Sequence, residues 1–331
     1  LDRAMARLIT GPLPSLSPET NPVAAPCPRL TGLSRNAQGR WGNAASLQPS
    51  ISTNGQWVAF LSLATNLAAA EPGALLQAYL LDRAAGITRL VSAPPKGAPP
   101  NGECSAACLS GDGRFVVFAS EASNLVPNDR NSASAVFLYD CSTGQLELIS
   151  VAGASVANDV SVSPAISQDG RYVVFASDAW NLVAGDNNGY RDIFVRDRQL
   201  RTTTRVSLSS AGAEADYTSD LPAISPDGRF VSFLSGAATL VADAYYPAYH
   251  LYLRDRSANT TERLSKNASG QPGNVDDKLP NRFVKRVRQV ELFVVKNFHN
   301  QVKHQSLQHG GDNHKRNDCN IPALIVVVQF R

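Results

Sequence analysis

A nearly unbroken apolar run, preceded by a short polar turn, recurs along the chain. It reads ISTNGQWVAFLS from Ile51, LSGDGRFVVFAS from Leu109, ISQDGRYVVFAS from Ile166 and ISPDGRFVSFLS from Ile224. The run is too short for a helix and does not alternate, which is the pattern of a strand covered on both faces. In the third copy, SVSPAIS (Ser161 to Ser167) alternates as a strand and QDG supplies a turn at Gly170, followed by RYVVFAS. A polar loop, DAWNLVAGDNNGY, leads to a third strand, DIFVRD, and the short turn RQLR leads to a fourth, TTTRVSL. No stretch of ten or more residues sustains a 3.6-residue period, so the chain is expected to be all-β.

The turn glycines Gly55, Gly113, Gly170 and Gly228 are spaced by 58, 57 and 58 residues. Four antiparallel strands per unit, repeated at this length, fit the blade of a β-propeller. Stacked blades hide both faces of their middle strands, which accounts for YVVFAS and FVVFAS. The segment LTGLSRNAQGRWGN before Ala44 parallels RLVSAPPKGAPPNG, so it reads as the outer strand and exit loop of a preceding blade. After the fourth copy, SGQPGNVDDKLP begins a fifth in phase, with Pro280 58 residues beyond Pro222, and then the pattern stops at NRFVKRV. The expected organisation is an N-terminal segment at 1–29, propeller repeats at 30–280 and an atypical basic segment at 281–331. The last is either a closing blade or a continuation foreign to the repeats, such as a translated frameshift.

Ser-x-Asp-Gly-Arg, a V-x-F strand, Asn-Leu-Val and a strand ending in Arg-Asp together resemble the TolB-like, WD-repeat-like β-propellers of bacteria. Ser110, Asp112, Gly113 and Arg114 carry the motif, as do Ser167, Asp169, Gly170 and Arg171, and Ser225, Asp227, Gly228 and Arg229. The first copy departs, with Asn54 and Gln56 in place of Asp and Arg. The resemblance implies a bacterial source and a periplasmic or extracellular location. It does not specify an activity, because such blades serve both as scaffolds and as gating domains of peptidases.

Composition changes this picture in one respect. The chain has 331 residues and a formal charge of +3, yet residues 1–280 hold 22 Lys and Arg against 25 Asp and Glu, while the last 51 hold 9 against 3. The repeats are therefore mildly acidic, and KRVR at Lys285 to Arg288 is too short a basic run to indicate nucleic acid. Cys27, Cys104, Cys108, Cys141 and Cys319 lack a zinc spacing and read as free or locally paired thiols. The opening LDRAMARLIT has neither an initiator Met nor the order of a signal peptide, which suggests a fragment or processed form. IPALIVVVQF, the longest late apolar run, is half the length needed for a transmembrane helix.

Three groups of residues invite a chemical reading. In the Asp-Gly turns, Asp112, Gly113, Asp169, Gly170, Asp227 and Gly228 are assigned structural roles, Asp accepting backbone amides and Gly taking positive φ. The loop GDNNGYRD places Asp186, Asn188 and Asp192 as oxygen donors at a spacing that partly matches calcium loops. Tyr245, Tyr246 and Tyr249 form an aromatic patch suited to protein or glycan contact. Tail histidines His299, His304, His309 and His314 recur every five residues, which puts neighbours on different faces of a helix or strand.

No nucleophile elbow, metalloprotease motif, P-loop or dinucleotide fingerprint occurs. No catalytic residue is assigned, and no cofactor other than calcium at the loop. The leading reading is a non-catalytic binding or scaffold propeller with a protein or glycan partner. Its recognition loops would join second to third strands, at Ala64 to Ala78, Ala122 to Ala135, Ala179 to Arg191 and Ala237 to Ala248. The alternative is a hydrolase or lyase whose active site forms at the channel mouth, for which Asp159 and Asp220 are the available inner-strand carboxylates.

Overall fold

A computed structural model describes residues 32–265, apart from 70–72, 74, 95–97, 128, 130–132 and 243–248. All of its sheets lie in the unit that begins at Ser34. Blade 1 comprises β1 (Ser46–Ile51), β2 (Trp57–Ser62), β3 (Gln77–Asp82) and β4 (Ile87–Leu90). Blade 2 comprises β5 (Cys104–Leu109), β6 (Phe115–Ser120), β7 (Ala135–Asp140) and β8 (Gln145–Leu148). A small hairpin, β9 (Val151–Ala152) with β10 (Ser155–Val156), precedes blade 3 and is not apparent from the repeat pattern. Blade 3 comprises β11 (Ser161–Ile166), β12 (Tyr172–Ser177), β13 (Asp192–Asp197) and β14 (Thr202–Arg205). Blade 4 comprises β15 (Ser219–Ile224), β16 (Phe230–Ser235), β17 (His250–Asp255) and β18 (Thr260–Arg263). Each blade is an antiparallel four-stranded sheet in chain order, and the described residues hold no helix. The fold is an all-β propeller built from the predicted units.

The continuous apolar runs are explained by which face of each strand meets which neighbour. Ala59, Leu61, Ala78 and Leu80 of blade 1 form one core with Val116, Phe118 and Phe137 of blade 2. Val117, Ala119, Val136 and Leu138 of blade 2 form the next with Val173, Phe175 and Phe194. Val174, Ala176, Ile193 and Val195 of blade 3 meet Val231, Phe233 and Tyr252. In blades 2 and 3 successive residues of one strand thus belong to two different interfaces, whereas β16 of blade 4 carries a half-buried Ser232 inside its run. Within each blade one directly opposed pair of rings stacks across the middle strands: Phe60 on Tyr79, Phe118 on Phe137, Phe175 on Phe194 and Phe233 on Tyr252, at 5.6–5.9 Å between centroids. Leu251 of blade 4, equivalent to the buried Ile193 and Val136, is 38% exposed.

Two sets of contacts fasten each blade to the one before it, at opposite ends. At the turn end, Ser167 Oγ donates to Asp169 Oδ1 (2.7 Å), which also accepts the Arg171 amide (3.0 Å), while the Tyr172 amide donates to Ser167 Oγ. This closed network is repeated around Asp112 and Asp227. In the first copy the Asn54 amide oxygen accepts the same two bonds, so the turn survives the change of residue. Gly113, Gly170 and Gly228 take φ of +79°, +73° and +73°, and each packs against the first aromatic ring of the preceding blade: Trp57, Phe115 and Tyr172. A Cβ at any of the three would run into that ring.

Arginines complete this packing. Arg114 and Arg171 pair with Asp140 and Asp197 at the end of their own third strands, at 2.8 and 2.7 Å, and lie over Phe115 and Tyr172. From the following blade, Arg198 reaches back over Phe115 (4.4 Å) and donates to Gly170 O, and Arg256 does the same over Tyr172 and to Gly228 O. Phe115 and Tyr172 are therefore each flanked by two guanidinium groups. Gln56 replaces Arg in blade 1, so the ion pair to the third strand is missing there.

At the loop end, a polar side chain just after the second strand holds the exit segment of the preceding blade. Asn66 Oδ1 accepts the Asn43 amide and Asn66 Nδ2 donates to Trp41 O; Asn124 does the same to Asn101 and Pro99 O. Asn181 repeats the pair with Asn158 and Val156 O, and in blade 4 Thr239 takes this place against Asp216 and Glu214 O. The following leucines, Leu67, Leu125, Leu182 and Leu240, are all buried. The segment before blade 1 thus makes the contacts that an exit loop makes elsewhere.

The first strands are bulged, with register shifts between Leu47 and Ser50, Cys104 and Ala106, Val162 and Ala165, and Asp220 and Ala223. In three of them a residue before proline, Gln48, Ser163 or Leu221, takes φ near +50°. Proline has no amide to give the ladder, and the bulge removes the need for one.

Two outcomes follow from this construction. Gly170→Ala is expected to cost about 2–4 kcal/mol, combining left-handed strain with overpacking on Phe115; Gly153→Ala, where a Cβ meets nothing, should cost only about 1 kcal/mol. Urea denaturation of both variants checks this. Desolvation raises the Asp140 carboxyl, but hydrogen bonds from Arg114 and Ser142 outweigh it and hold it at about 2. A depressed carboxylate contributes stability above its unfolded value, and that contribution is lost as pH falls through the folded one. The difference in thermal midpoint between wild type and Asp140→Asn should therefore be largest above pH 4, shrink as pH falls through 2 and vanish only below it.

Candidate functional site

The register fixes which side chains gather at the loop end. β12 begins opposite the end of β13 and finishes opposite its start, Ser177 pairing with Asp192, so the Asp178 to Arg191 loop projects away from the Asp-Gly turns. The Ala215 to Ser219 entry of blade 4 comes to the same end, because the Ser219 amide donates to Arg191 O. Three tyrosines meet here from three segments. Tyr190 lies 5.3 Å from Tyr217, and Tyr217 lies 6.0 Å from Tyr249 in an edge-on contact. Tyr190 is 41% exposed. Room for the Tyr217 ring comes from Gly236, where a Cβ would press on Tyr217 Cδ1.

Beside the rings, Arg191 bridges two blades. Its guanidinium pairs with Asp178 at 2.5 Å and with Asp220 on β15 at 3.1 Å. Burial works against the charge on Arg191, but the two carboxylates outweigh it and keep the group protonated. Asp220 Oδ1 also accepts a long bond of 3.4 Å from Ser163 Oγ on the neighbouring inner strand. Asp220 is therefore engaged by Arg191 and Ser163, and Asp159 is exposed with its Oδ1 accepting the Val160 amide.

The proposed calcium loop folds as a cluster. Asn188 Nδ2 donates to Asp192 Oδ2 (2.8 Å) and to Ala215 O, and the centre of the group is the Arg205 guanidinium from β14. Arg205 pairs with Asp186 (2.9 Å), Asp192 (3.2 Å) and Glu214 (2.5 Å). Asp192 is wholly buried and also accepts from Ser207 Oγ. Burial first, then the Asp192 charge, push Asp186 up to about 6, while burial raises Asp192 as well. One cation thus already stands among the three carboxylates, and the cluster ties the 185–191 loop, which carries Tyr190, to the 214–217 segment, which carries Tyr217. Among the described residues no group of three or more His, Cys, Asp and Glu side chains is arranged to hold a metal ion.

Of the three tyrosines named from the sequence, Tyr249 joins this cluster, while Tyr245 and Tyr246 lie outside the described residues. Tyr190 and Tyr217 were missed because they belong to other segments, which are brought together by contacts such as Ser219 N to Arg191 O, Asn188 to Ala215 O and Arg191 to Asp220. Asp112, Asp169 and Asp227 sit at the opposite end, inside the turn networks described above. Cys104, Cys108 and Cys141 are free thiols, each raised chiefly by burial. The tail histidines lie outside the described residues. No described helix is long and apolar enough to cross a membrane.

Removing Arg205 should leave three buried or half-buried carboxylates facing one another. Arg205→Met is expected to cost about 3–5 kcal/mol at pH 7.5, and clearly less at pH 5, where Asp186, held at about 6, takes up a proton. Urea titrations at the two pH values check both the size and the direction.

No protein-family model and no curated protein matches the chain. Solved structures similar to it include TolB from Acinetobacter baumannii, at 17% identity and a TM-score of 0.44, covering 70% of this chain and 45% of that one. A structure described as a TolB from Agrobacterium tumefaciens has 16% identity and a TM-score of 0.40, covering 66% and 80%. The β-propeller domain of the Trilobed protease from Pyrococcus furiosus has 12% identity and a TM-score of 0.40, covering 67% and 57%. The chain thus spans less than half the length of the Acinetobacter protein.

Proposed function

We propose that the protein is a non-catalytic binding propeller of the bacterial envelope that presents the loop end of blades 3 and 4 to a protein or glycan partner. The observation that carries this reading is the contact of Tyr190, Tyr217 and Tyr249, drawn from three separate segments. Rings of this kind on loops supply large contact area at little entropic cost, and the ion pairs of the same segments hold the loops in place before any partner arrives. The carboxylates nearby are engaged by arginines, which suits a supporting role better than acid–base work. Envelope location follows the resemblance of the repeats to TolB-like propellers and is part of the same proposal.

The test is binding of the purified protein to arrays of peptides and glycans, with Tyr190→Ala and Leu200→Ala compared. Leu200 is 66% exposed in the β13–β14 turn, at the opposite end of the blade. Tyr190→Ala should weaken capture roughly tenfold and Leu200→Ala should leave it unchanged. Substrate turnover by the wild type that Asp220→Ala abolishes would overturn the reading in favour of a hydrolase or lyase at the channel mouth.

A further inference from the structure

The charge around the tyrosines is unbalanced. The segments 178–192 and 214–220 carry six carboxylates, Asp178, Asp186, Asp192, Glu214, Asp216 and Asp220, and one arginine, Arg191. Arg205 enters from β14 and is taken up by Asp186, Asp192 and Glu214, as Arg191 is by Asp178 and Asp220. Residues 97–265 contain no lysine at all. A formal surplus of four negative charges therefore lies on the segments that carry Tyr190 and Tyr217, and protonation of one buried carboxylate still leaves it negative. Asp216 is exposed, and the Asp178 and Glu214 side chains keep about a third of their surface in water, so the surplus is felt outside the protein.

Aromatic faces carry the negative end of the ring quadrupole, and a cation over them gains further when carboxylates stand nearby. Such a surface concentrates positive charge from solution and repels phosphates and acidic peptides. A neutral sugar could use the rings but would leave the charge without purpose. We infer that the partner engages this end of blades 3 and 4 through a cationic side chain, a lysine or arginine on a basic segment of another protein, set against the tyrosine rings and flanked by the acidic loops. This rests on the reading of the same surface as a binding face and specifies the partner's chemistry.

The experiment is fluorescence anisotropy with labelled hexalysine, hexaglutamate and a neutral Gly-Ser hexapeptide, with maltohexaose followed by calorimetry. Wild type, Tyr190→Ala and Tyr190→Phe are compared after confirming equal thermal midpoints. Hexalysine should bind, more weakly as salt rises. Tyr190→Ala should lose roughly three- to tenfold in affinity, and Tyr190→Phe, which keeps the ring face without the hydroxyl, should retain it. Hexalysine affinity unchanged in Tyr190→Ala would overturn the inference, since charge alone would then account for it. Tyr190-dependent binding of maltohexaose or hexaglutamate in place of hexalysine would overturn it while leaving a binding face standing. Binding of no probe in a Tyr190-dependent way would remove both.

Discussion

Each blade after the first sets a turn glycine directly against an aromatic ring of the blade before it. That contact leaves no space for a Cβ, so the distance between neighbouring sheets at the turn end is fixed by covalent dimensions and not by the compliance of side chains. The Ser–Asp network holds the glycine in its left-handed conformation, and over Phe115 and Tyr172 lie two arginines each, one from the ring's own blade and one from the following blade. With the spacing set, the faces of the middle strands meet at core density, and Val116, Phe118 and their equivalents are fully buried. Asn66, Asn124, Asn181 and Thr239 fasten the other end, so a blade cannot pivot about its turn.

This division of labour explains why chemistry should be sought at the loop end. Every copy of the turn spends its Ser and its Asp or Asn side chain inside the turn, and three of the four glycines pack on the preceding blade, leaving little variation between copies to carry specificity. The second-to-third-strand loops differ from blade to blade in apolar and acidic content. In blade 3 the loop is braced by Arg205 on Asp186 and Asp192; the position of Arg205 is held by Leu90, Leu148 and Arg263 in blades 1, 2 and 4, and that of Asp192 by Gln77, Ala135 and His250. Bracing places Tyr190 and Arg191 against the entry of blade 4 and creates a surface that belongs to two repeats at once.

The repeat spacing, the four strands per unit and the burial of the middle strands were legible because each depends on residues close in sequence. Contacts between blades were not, since their partners lie 25 to 83 residues apart in sequence: nothing in RDRQL shows that Arg198 will cover Phe115, and nothing in NLV shows that Asn181 will hold Val156. The same holds for the site. Asp186, Asn188 and Asp192 do come together as their spacing suggests, but Arg205 arrives from the adjacent strand and stands among them. Tyr249 could be suspected from its neighbours in sequence, whereas Tyr190 and Tyr217 become a pair only through the packing of blade 3 on blade 4.

The interlock between glycine and ring is tested most directly by a double-mutant cycle on Gly170 and Phe115, with stabilities from urea denaturation. If the ring is what excludes a Cβ, Gly170→Ala in the Phe115→Ala background should cost only the conformational penalty of about 1 kcal/mol, well below its cost in the wild type. Equal costs in the two backgrounds would contradict the account, because the glycine would then be required by its backbone alone and the blades would be spaced by something else.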